Sequence, residues 1–170
     1  MPQTKTTTIL GIDPGYAITG YAIVDIINNQ ISARTYGIIQ TSANEPFPDR
    51  LLFLKKNLEK IIIKYSPQVL AIENIFFSNN AKTAIHVGEA RGVILITALE
   101  KKLHIANYTP LQIKQAVTGH GRADKKQIQK MIQIIFSLKE IPQPDDAADA
   151  LATAYCGAHA LNTYNAWRYA

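Results

Sequence analysis

An apolar run that ends in a carboxylate is the feature that most constrains this chain. Residues 9–15 read ILGIDPG and lead into a second strand-like stretch at 19–24. The proline after Asp13 favours extended backbone at the aspartate, and Pro-Gly is typical of a sharp turn. A charge at the end of a buried strand is costly unless it is paired or holds a metal. Asp13 is therefore either the cap of this turn or one ligand of a metal site.

Further acids stand in similarly apolar surroundings. Glu73 ends the run VLAIE at residues 69–73, and Asp146 and Asp149 lie at the start of a predicted helix. Their i, i+3 spacing places the two aspartates on one face of that helix. Acids at helix starts are also common as N-terminal caps, and we assign Asp145 that role. Each acid taken alone therefore has a structural explanation.

The four acids together favour a metal site. Carboxylates gathered in one place repel one another unless a cation lies between them. Mg²⁺ suits a site with few carboxylates and substrate phosphates. Two such ions about 3.5–4 Å apart can activate water and stabilise the leaving oxygen in phosphodiester hydrolysis. If the fold brings the four acids together, the sequence predicts a metal-dependent nuclease.

The composition is that of an ordinary globular chain. Its 170 residues are 47% hydrophobic, and we expect one domain over residues 1–170. The net charge of +5 favours a polyanionic partner. Cys156 is the single cysteine, which excludes an intrachain disulfide and fits a reducing compartment. Because neither a signal peptide nor a membrane-length apolar run is visible, we expect a cytoplasmic protein with no membrane partner.

Hydrophobic periodicity predicts an α/β fold with a mixed five-stranded sheet and helices on both faces. Asn28-Asn29 is a good hairpin turn, so the first three strands should pair antiparallel. Asp124 and Gln127 form a predicted capping box. Strands are expected at 7–13, 19–27, 31–40, 69–73 and 103–108, and helices at 49–65, 81–101, from Thr109-Pro110, at 125–136 and at 146–160. The tail beyond about residue 162 lacks periodicity and is expected to be disordered.

The predicted helix over 81–101 is apolar around much of its circumference. Such a helix should be covered on more than one side. One side can pack on the sheet, and the other is a candidate subunit interface.

Four blocks of the chain resemble the RuvC-type Holliday junction resolvases. They are ILGIDPG at 9–15 with TGY at 19–21, AIENIF at 71–76, GEARGV at 88–93, and DAADALA at 146–152. The blocks occur in the expected order, and the resemblance runs from about residue 8 to residue 160. It implies a ribonuclease-H-like fold and a homodimer that resolves four-way DNA junctions by paired symmetric nicks in recombination and repair. It also implies 5′-phosphate and 3′-hydroxyl ends.

The resemblance assigns roles to particular residues. It implies that the catalytic and metal-binding acids are Asp13, Glu73, Asp146 and Asp149. The third acid is aspartate or histidine in the family and is aspartate here. The implied cofactor is Mg²⁺, two ions per active site, with Mn²⁺ as a possible substitute. The implied partner is a RuvA–RuvB branch-migration complex.

A junction enzyme also needs cationic side chains near its acids, because it must bind phosphates. Lys114, Arg122 and Lys125 cluster after the fifth strand, and the resemblance matches Lys114 and Lys125 to basic positions near the scissile phosphate. It also implies that Phe76 stacks on an unpaired base at the junction centre, where stacking contributes about 1–3 kcal/mol. For Phe77 we favour a place in the core.

Two other classes of function compete with a resolvase. Actin-like and sugar-kinase-like ATPases also have a strand, an Asp-x-Gly turn and a second strand, but they use two such halves, and one is present here. A ribonuclease-H-like protein could also act on RNA, or bind nucleic acid as a scaffold without cutting. The intact acids favour cutting.

Overall fold

The computed structural model describes residues 6–74 and 81–168, with side chains for 6–74 and 83–162. The described ranges contain both strands and helices in an α/β arrangement. In chain order they are β1 Thr7–Asp13, β2 Ile18–Ile27, β3 Gln30–Gln40, α1 Phe47–Tyr65, β4 Val69–Glu73, α2 Ala81–Glu100, β5 His104–Tyr108, α3 Pro110–Thr118, α4 Lys125–Ile135 and α5 Asp145–Arg168.

The five strands form one mixed sheet in the order β3-β2-β1-β4-β5. β1, β2 and β3 pair antiparallel, whereas β4 is parallel to β1 and β5 is parallel to β4. Asn28 and Asn29 connect β2 to β3 with φ values of 51° and 64°. Positive φ at both residues is what a tight hairpin turn requires. The predicted mixed five-stranded sheet is confirmed.

The alternation of side chains along β1 separates two hydrophobic cores. Ile9 belongs to the core that α3, α4 and α5 form with one face of the sheet. Leu10 and Ile12 belong to the opposite core, which α1 and α2 cover. Helices therefore lie on both faces, as predicted. Asp13, two residues after Gly11 and four after Ile9, is on the α5 face.

Glycines let α5 lie very close to the sheet. A Cβ atom on Gly20 would be 1.9 Å from the carbonyl oxygen of Asp146, and one on Gly11 would be 2.5 Å from that of Ala150. Only residues without a side chain fit at these two positions. On the helix side the contact is made by small buried residues, among them Ala150 and Ala154. The backbone of α5 can therefore reach the strands that carry the first acid.

α5 is longer than the sequence predicts. It begins at Asp145 and continues to Arg168, whereas periodicity indicated an end near residue 160 and disorder beyond about 162. Leu161 packs against the core of the α5 face, and the Asn162 amide donates a hydrogen bond to the carbonyl of Asn29 at 3.1 Å. Contacts with the rest of the fold thus extend the helix past its last regular apolar repeat.

Two predicted helix starts are confirmed by their hydrogen bonds. Thr109 and Gln112 form a capping box at the start of α3, and Asp124 and Gln127 form one at the start of α4. Each box satisfies backbone donors that would otherwise have no partner in the first helical turn. The second box also fixes the end of the loop between these two helices at Asp124.

α2 is covered on one side by the sheet and α1. Ala90, Ile94 and Ala98 are buried in that core, while Ile85, Ile96 and Leu99 remain more than half exposed, at 61%, 51% and 55%. The sequence predicts that α2 is covered on a second side as well. A partner outside this chain would have to provide that cover. Within residues 6–74 and 81–168, no helix combines the length and the apolar character needed to cross a membrane.

We expect Gly20→Ala to destabilise the protein by about 1–3 kcal/mol, the usual cost of overpacking. The new methyl group would overlap the backbone of Asp146, so α5 must move away from the sheet. Urea unfolding measures the change. Gly37→Ala is the control, because its Cβ would meet only the ring end of Tyr21 at 3.0 Å. Equal losses in the two variants would contradict the close helix–sheet contact.

Candidate active site

Two acids lie at the same end of neighbouring parallel strands. Ile12 of β1 is opposite Ile72 of β4 in the register, so Asp13 and Glu73 follow at equivalent positions. Neighbouring strands are about 4.8 Å apart. Glu73 follows Ala71, which belongs to the core on the α5 face, so both carboxylates lie on that face. The predicted pairing of two acids that end apolar strands is therefore seen in the fold.

The other two acids come from the start of α5. Gly20 pairs with Asp13 across the antiparallel strands and also lies against the backbone of Asp146. The same glycine therefore brings the first turn of α5 next to Asp13. Asp149 lies one turn further along the helix, near the positive end of its dipole, which favours negative charge.

The electrostatics of Asp13 confirm that all four acids are near one another. The pKa of Asp13 is raised from 3.8 to about 7, most of all by burial. The negative charges of Asp149, Glu73 and Asp146 contribute to this rise, in that order, while Lys125 opposes it. A cation placed among the carboxylates would oppose both effects. The site is thus arranged to gain from bound positive charge.

Glu73 and Asp149 show the same behaviour. Burial raises the pKa of Glu73, the charge of Asp149 adds to the rise, and Lys114 opposes it. Burial also raises the pKa of Asp149, although Lys125 acts in the opposite direction. Two lysines therefore supply the nearest opposing charges, one from α3 and one from α4.

Lys125 forms ion pairs with two acids of α5. Its Nζ lies 3.1 Å from Asp145 Oδ2 and 3.3 Å from Asp149 Oδ2. Burial alone would lower the pKa of Lys125, but these carboxylates raise it, so the side chain is held as a cation. Asp145 also accepts a hydrogen bond from Gln129 Nε2 at 2.9 Å. Asp145 was predicted to cap its own helix. Its side chain instead joins α5 to α4.

A cleft of about 220 Å³ opens beside the acids. Glu73 and Asp149 line it together with Lys114 and Lys125, and Ile113 and Ile128 form part of its apolar wall. Acidic and cationic side chains thus share one opening on the α5 face. This is the arrangement needed to hold a phosphodiester close to the carboxylates.

The structure describes the remaining predicted DNA contacts in less detail. Arg122 is exposed in the connection between α3 and α4, three residues before Lys125, and it is not among the residues that line the cleft. Phe76, the predicted stacking residue, lies outside the described residues. So does Phe77.

Arg91 is a residue near the site to which the sequence assigned no role. Its Nε donates a hydrogen bond to the carbonyl oxygen of Glu73 at 3.3 Å, and its Nη2 donates to Asn74 Oδ1 at 3.3 Å and to Asn107 Oδ1. The guanidinium thereby joins α2 to the ends of β4 and β5. In the sequence, Arg91 was marked only by its place in the GEARGV block. Its hydrogen-bond partners are distant along the chain, so the sequence did not indicate its role.

The donor set fits a hard divalent cation. Carboxylate oxygens are the ligands that Mg²⁺ and Mn²⁺ prefer, and the four acids share one face of the sheet. Among the described residues, no three acidic, histidine or cysteine side chains already stand at ligating distances from a common point. Mutual repulsion is a physical reason for carboxylates to stay apart until a cation joins them.

A mixed five-stranded sheet with acids at the ends of β1 and β4 and on a crossing helix defines a ribonuclease-H-like nuclease. A family model described as crossover junction endodeoxyribonuclease RuvC matches residues 9–157. The chain therefore belongs to the RuvC family.

Relatives of this family cover almost the whole chain. A crossover junction endodeoxyribonuclease RuvC of Caldicellulosiruptor saccharolyticus is 54% identical over 87% of this chain and 90% of its own length. That of Finegoldia magna is 52% identical over 87% and 90%. The solved structure of Thermus thermophilus RuvC in complex with Holliday junction substrate is 29% identical, covers 92% of this chain and 96% of its own, and has a TM-score of 0.83.

We expect Asp13→Asn to stabilise the metal-free protein at neutral pH. Because the pKa of Asp13 rises from 3.8 to about 7 on folding, the folded state binds more protons than the unfolded chain between these values. Stability is therefore lost as the pH rises through this window. The uncharged amide of the variant avoids this loss, which is up to about 4 kcal/mol in the free energy of unfolding. Urea unfolding in EDTA, from about pH 4 to pH 8, measures the difference between variant and wild type.

Asp145→Asn is the control, and we expect it to change the stability in the opposite direction. The hydrogen bonds from Lys125 and Gln129 lower the pKa of Asp145, so this carboxylate stabilises the fold above its unfolded pKa. Its replacement should destabilise the protein at neutral pH. If Asp13→Asn were also destabilising there, burial and repulsion together would not penalise the Asp13 carboxylate as its raised pKa indicates.

Proposed function

We propose that this protein is a metal-dependent, structure-selective endonuclease that resolves Holliday junctions by paired symmetric nicks in recombination and repair. The observation that carries the proposal is the meeting of Asp13, Glu73 and two aspartates of α5 on one face of the sheet, beside a cationic cleft. Membership of the RuvC family supports a DNA junction as the substrate, since a family relative has been solved in complex with one.

The proposed roles of the acids follow from their places in the fold. Asp13 and Glu73 from the strand ends, with Asp146 and Asp149 from α5, would together hold the divalent cations. When bound, such cations supply an activated water and stabilise the leaving oxygen of the phosphodiester. Cleavage of the 3′-oxygen–phosphorus bond leaves a 5′-phosphate and a 3′-hydroxyl. Mg²⁺ is the proposed ion, two per active site, with Mn²⁺ as substitute, because both are hard cations that take carboxylate oxygens.

The cationic side chains are proposed to orient the scissile phosphate. Lys114 lines the cleft opposite Glu73, and Lys125 lies next to Asp149, so both can approach a phosphate bound between them. Arg122 is exposed close to Lys125 in the sequence and is proposed to bind a neighbouring phosphate of the same strand. Phe76 is proposed to stack on an unpaired base at the junction centre, where a base without a Watson–Crick partner offers its π-face.

A second copy of this chain is the proposed occupant of the exposed face of α2. We name this face the α2 stripe: Ile85, Gly88, Gly92, Ile96 and Leu99, which recur every three or four residues. A Cβ atom on either glycine would meet nothing within 4 Å, so the stripe is open to close approach by a partner helix. This spacing is that of helix pairs that pack side by side. A homodimer would carry two active sites, one for each nick.

Family membership also supports a cellular setting. We propose that the protein works in the cytoplasm with a RuvA–RuvB branch-migration complex, which would deliver the junction. The positive net charge of +5 is in keeping with action on DNA.

Cleavage of a synthetic four-way junction tests the function directly. The same assay includes a linear duplex and an RNA–DNA hybrid of matching sequence, each with Mg²⁺, with Mn²⁺ and with EDTA. Symmetric nicks confined to the junction and dependent on the metal are expected. Junction binding without cutting would support a scaffold, and cutting of the hybrid alone would support a ribonuclease.

We expect Asp13→Asn to reduce junction cleavage by about 10²-fold or more while junction binding changes little, because it removes a ligand that acts on the reacting phosphate. Single-turnover cleavage and an electrophoretic binding assay in EDTA separate the two effects. Asp49→Asn is the matched control, since Asp49 is exposed in the first turn of α1. Loss of both binding and cleavage on replacing Asp13 would contradict a purely catalytic role.

We expect Ile96→Glu to convert the dimer to a monomer, since it places a charge in the middle of the α2 stripe. Sedimentation velocity measures the mass. Ile63→Glu is the control, because Ile63 is 67% exposed and belongs to α1, so it is not part of the α2 stripe. The monomer should make single nicks instead of paired ones. A wild-type protein that is monomeric at assay concentrations, or an Ile96→Glu variant that remains dimeric, would contradict this interface.

A further inference from the structure

We propose that Arg91 is a positioning residue that holds Glu73 in place for metal binding, by joining α2 to the ends of β4 and β5. The inference rests on the proposed function of the four acids as metal ligands. It concerns a residue that contacts the backbone of Glu73 and not its carboxylate.

The geometry of Arg91 ties three neighbouring pieces of chain together. The Nε atom reaches the carbonyl oxygen of Glu73, and the Nη2 atom reaches the side-chain oxygens of Asn74 and Asn107. Glu73 is the last residue of β4, Asn74 follows it, and Asn107 belongs to β5. One guanidinium therefore contacts both the end of β4, which carries Glu73, and Asn74, where the next connection begins.

The positive charge of Arg91 is directed at neutral oxygens. Three hydrogen bonds go to a carbonyl and two side-chain amides, whereas the charge that opposes the rise in the pKa of Glu73 comes from Lys114. Hydrogen bonds from a charged donor are stronger than those between neutral groups. Arg91 can thus fix the backbone firmly and leave the carboxylate available for a cation.

From the side of α2, the strand end is held by the hydrogen bonds of Arg91. Beyond the ladder between β4 and β5, the Asn74 amide donates one backbone hydrogen bond to the carbonyl of Tyr108 at 2.8 Å. A small movement of a metal ligand changes its coordination geometry, and replacing a group that orients a ligand typically costs 10–100-fold in metal affinity. We expect a loss of metal affinity of this size when Arg91 is replaced.

Arg91→Lys is the test variant. Lysine keeps the charge, but its single nitrogen cannot reach all three oxygens as the planar guanidinium does. The readout is the midpoint of Mn²⁺ binding to DNA-free protein, obtained by fitting the rise of the melting temperature with metal concentration. We expect the midpoint of this titration to rise by about tenfold or more. Junction binding in EDTA should be unchanged, and the metal concentration for half-maximal cleavage should rise in parallel.

Arg34→Lys is the matched control. Arg34 Nε lies 2.7 Å from Asp25 Oδ2, and the other oxygen of this carboxylate, Oδ1, accepts a hydrogen bond from the Thr8 hydroxyl, near the opposite end of β1 from Asp13. The same exchange there should lower the melting temperature without moving the Mn²⁺ midpoint. Asn107→Ala is a second test, because it removes one acceptor of Arg91 while Arg91 itself remains. It should raise the midpoint in the same direction by a smaller factor.

The outcomes separate this inference from the proposed function. If wild-type protein is not stabilised by Mn²⁺ and cuts no junction, the proposed function fails, and the role of Arg91 fails with it. If wild type responds and cuts, but Arg91→Lys and Asn107→Ala keep the wild-type midpoint, the positioning role alone is overturned. Loss of stability in Arg91→Lys with an unchanged midpoint would show that Arg91 only supports the fold.

Discussion

The burial of several carboxylates close to one another is the constraint on which this structure depends. Asp13 feels the charges of Glu73, Asp146 and Asp149 in addition to its own burial, and its pKa rises to about 7. A protein built only for stability would avoid this arrangement, because the unfolded chain relieves it at no cost. The repulsion is tolerable because Lys125 offsets part of it and because a bound cation would remove most of it. Stability is thus exchanged for a site that attracts positive charge.

The site exists because α5 approaches the sheet more closely than side chains normally allow. Gly11 and Gly20 leave room for the helix backbone, and the alanines of α5 keep its own surface flat. A methyl group on either glycine would push the helix outward and carry Asp146 and Asp149 away from Asp13. The residues that decide the distance between the acids are therefore ones that carry no reactive group.

α2 connects two features that are separate in the chain. One side of the helix holds Arg91, which contacts the strand end that carries Glu73, and another presents the α2 stripe, to which we assign a second copy of the protein. A partner packed on this helix would hold the same element that supports the acid. Assembly and the geometry of the active site thus share one structural element, whose rigidity each would increase.

Much of this protein is determined by its sequence alone. Apolar runs that end in Asp13 and Glu73, the i, i+3 pair in α5, the Asn28-Asn29 turn and the two capping boxes all follow from local patterns, because strand alternation, helical spacing and caps act over a few residues. The tertiary structure decided what local patterns cannot encode: the partners of Arg91 and Lys125, the use of Asp145 as a link to α4, and the continuation of α5 to Arg168. These depend on contacts between residues far apart in the chain, which only the packed fold brings together.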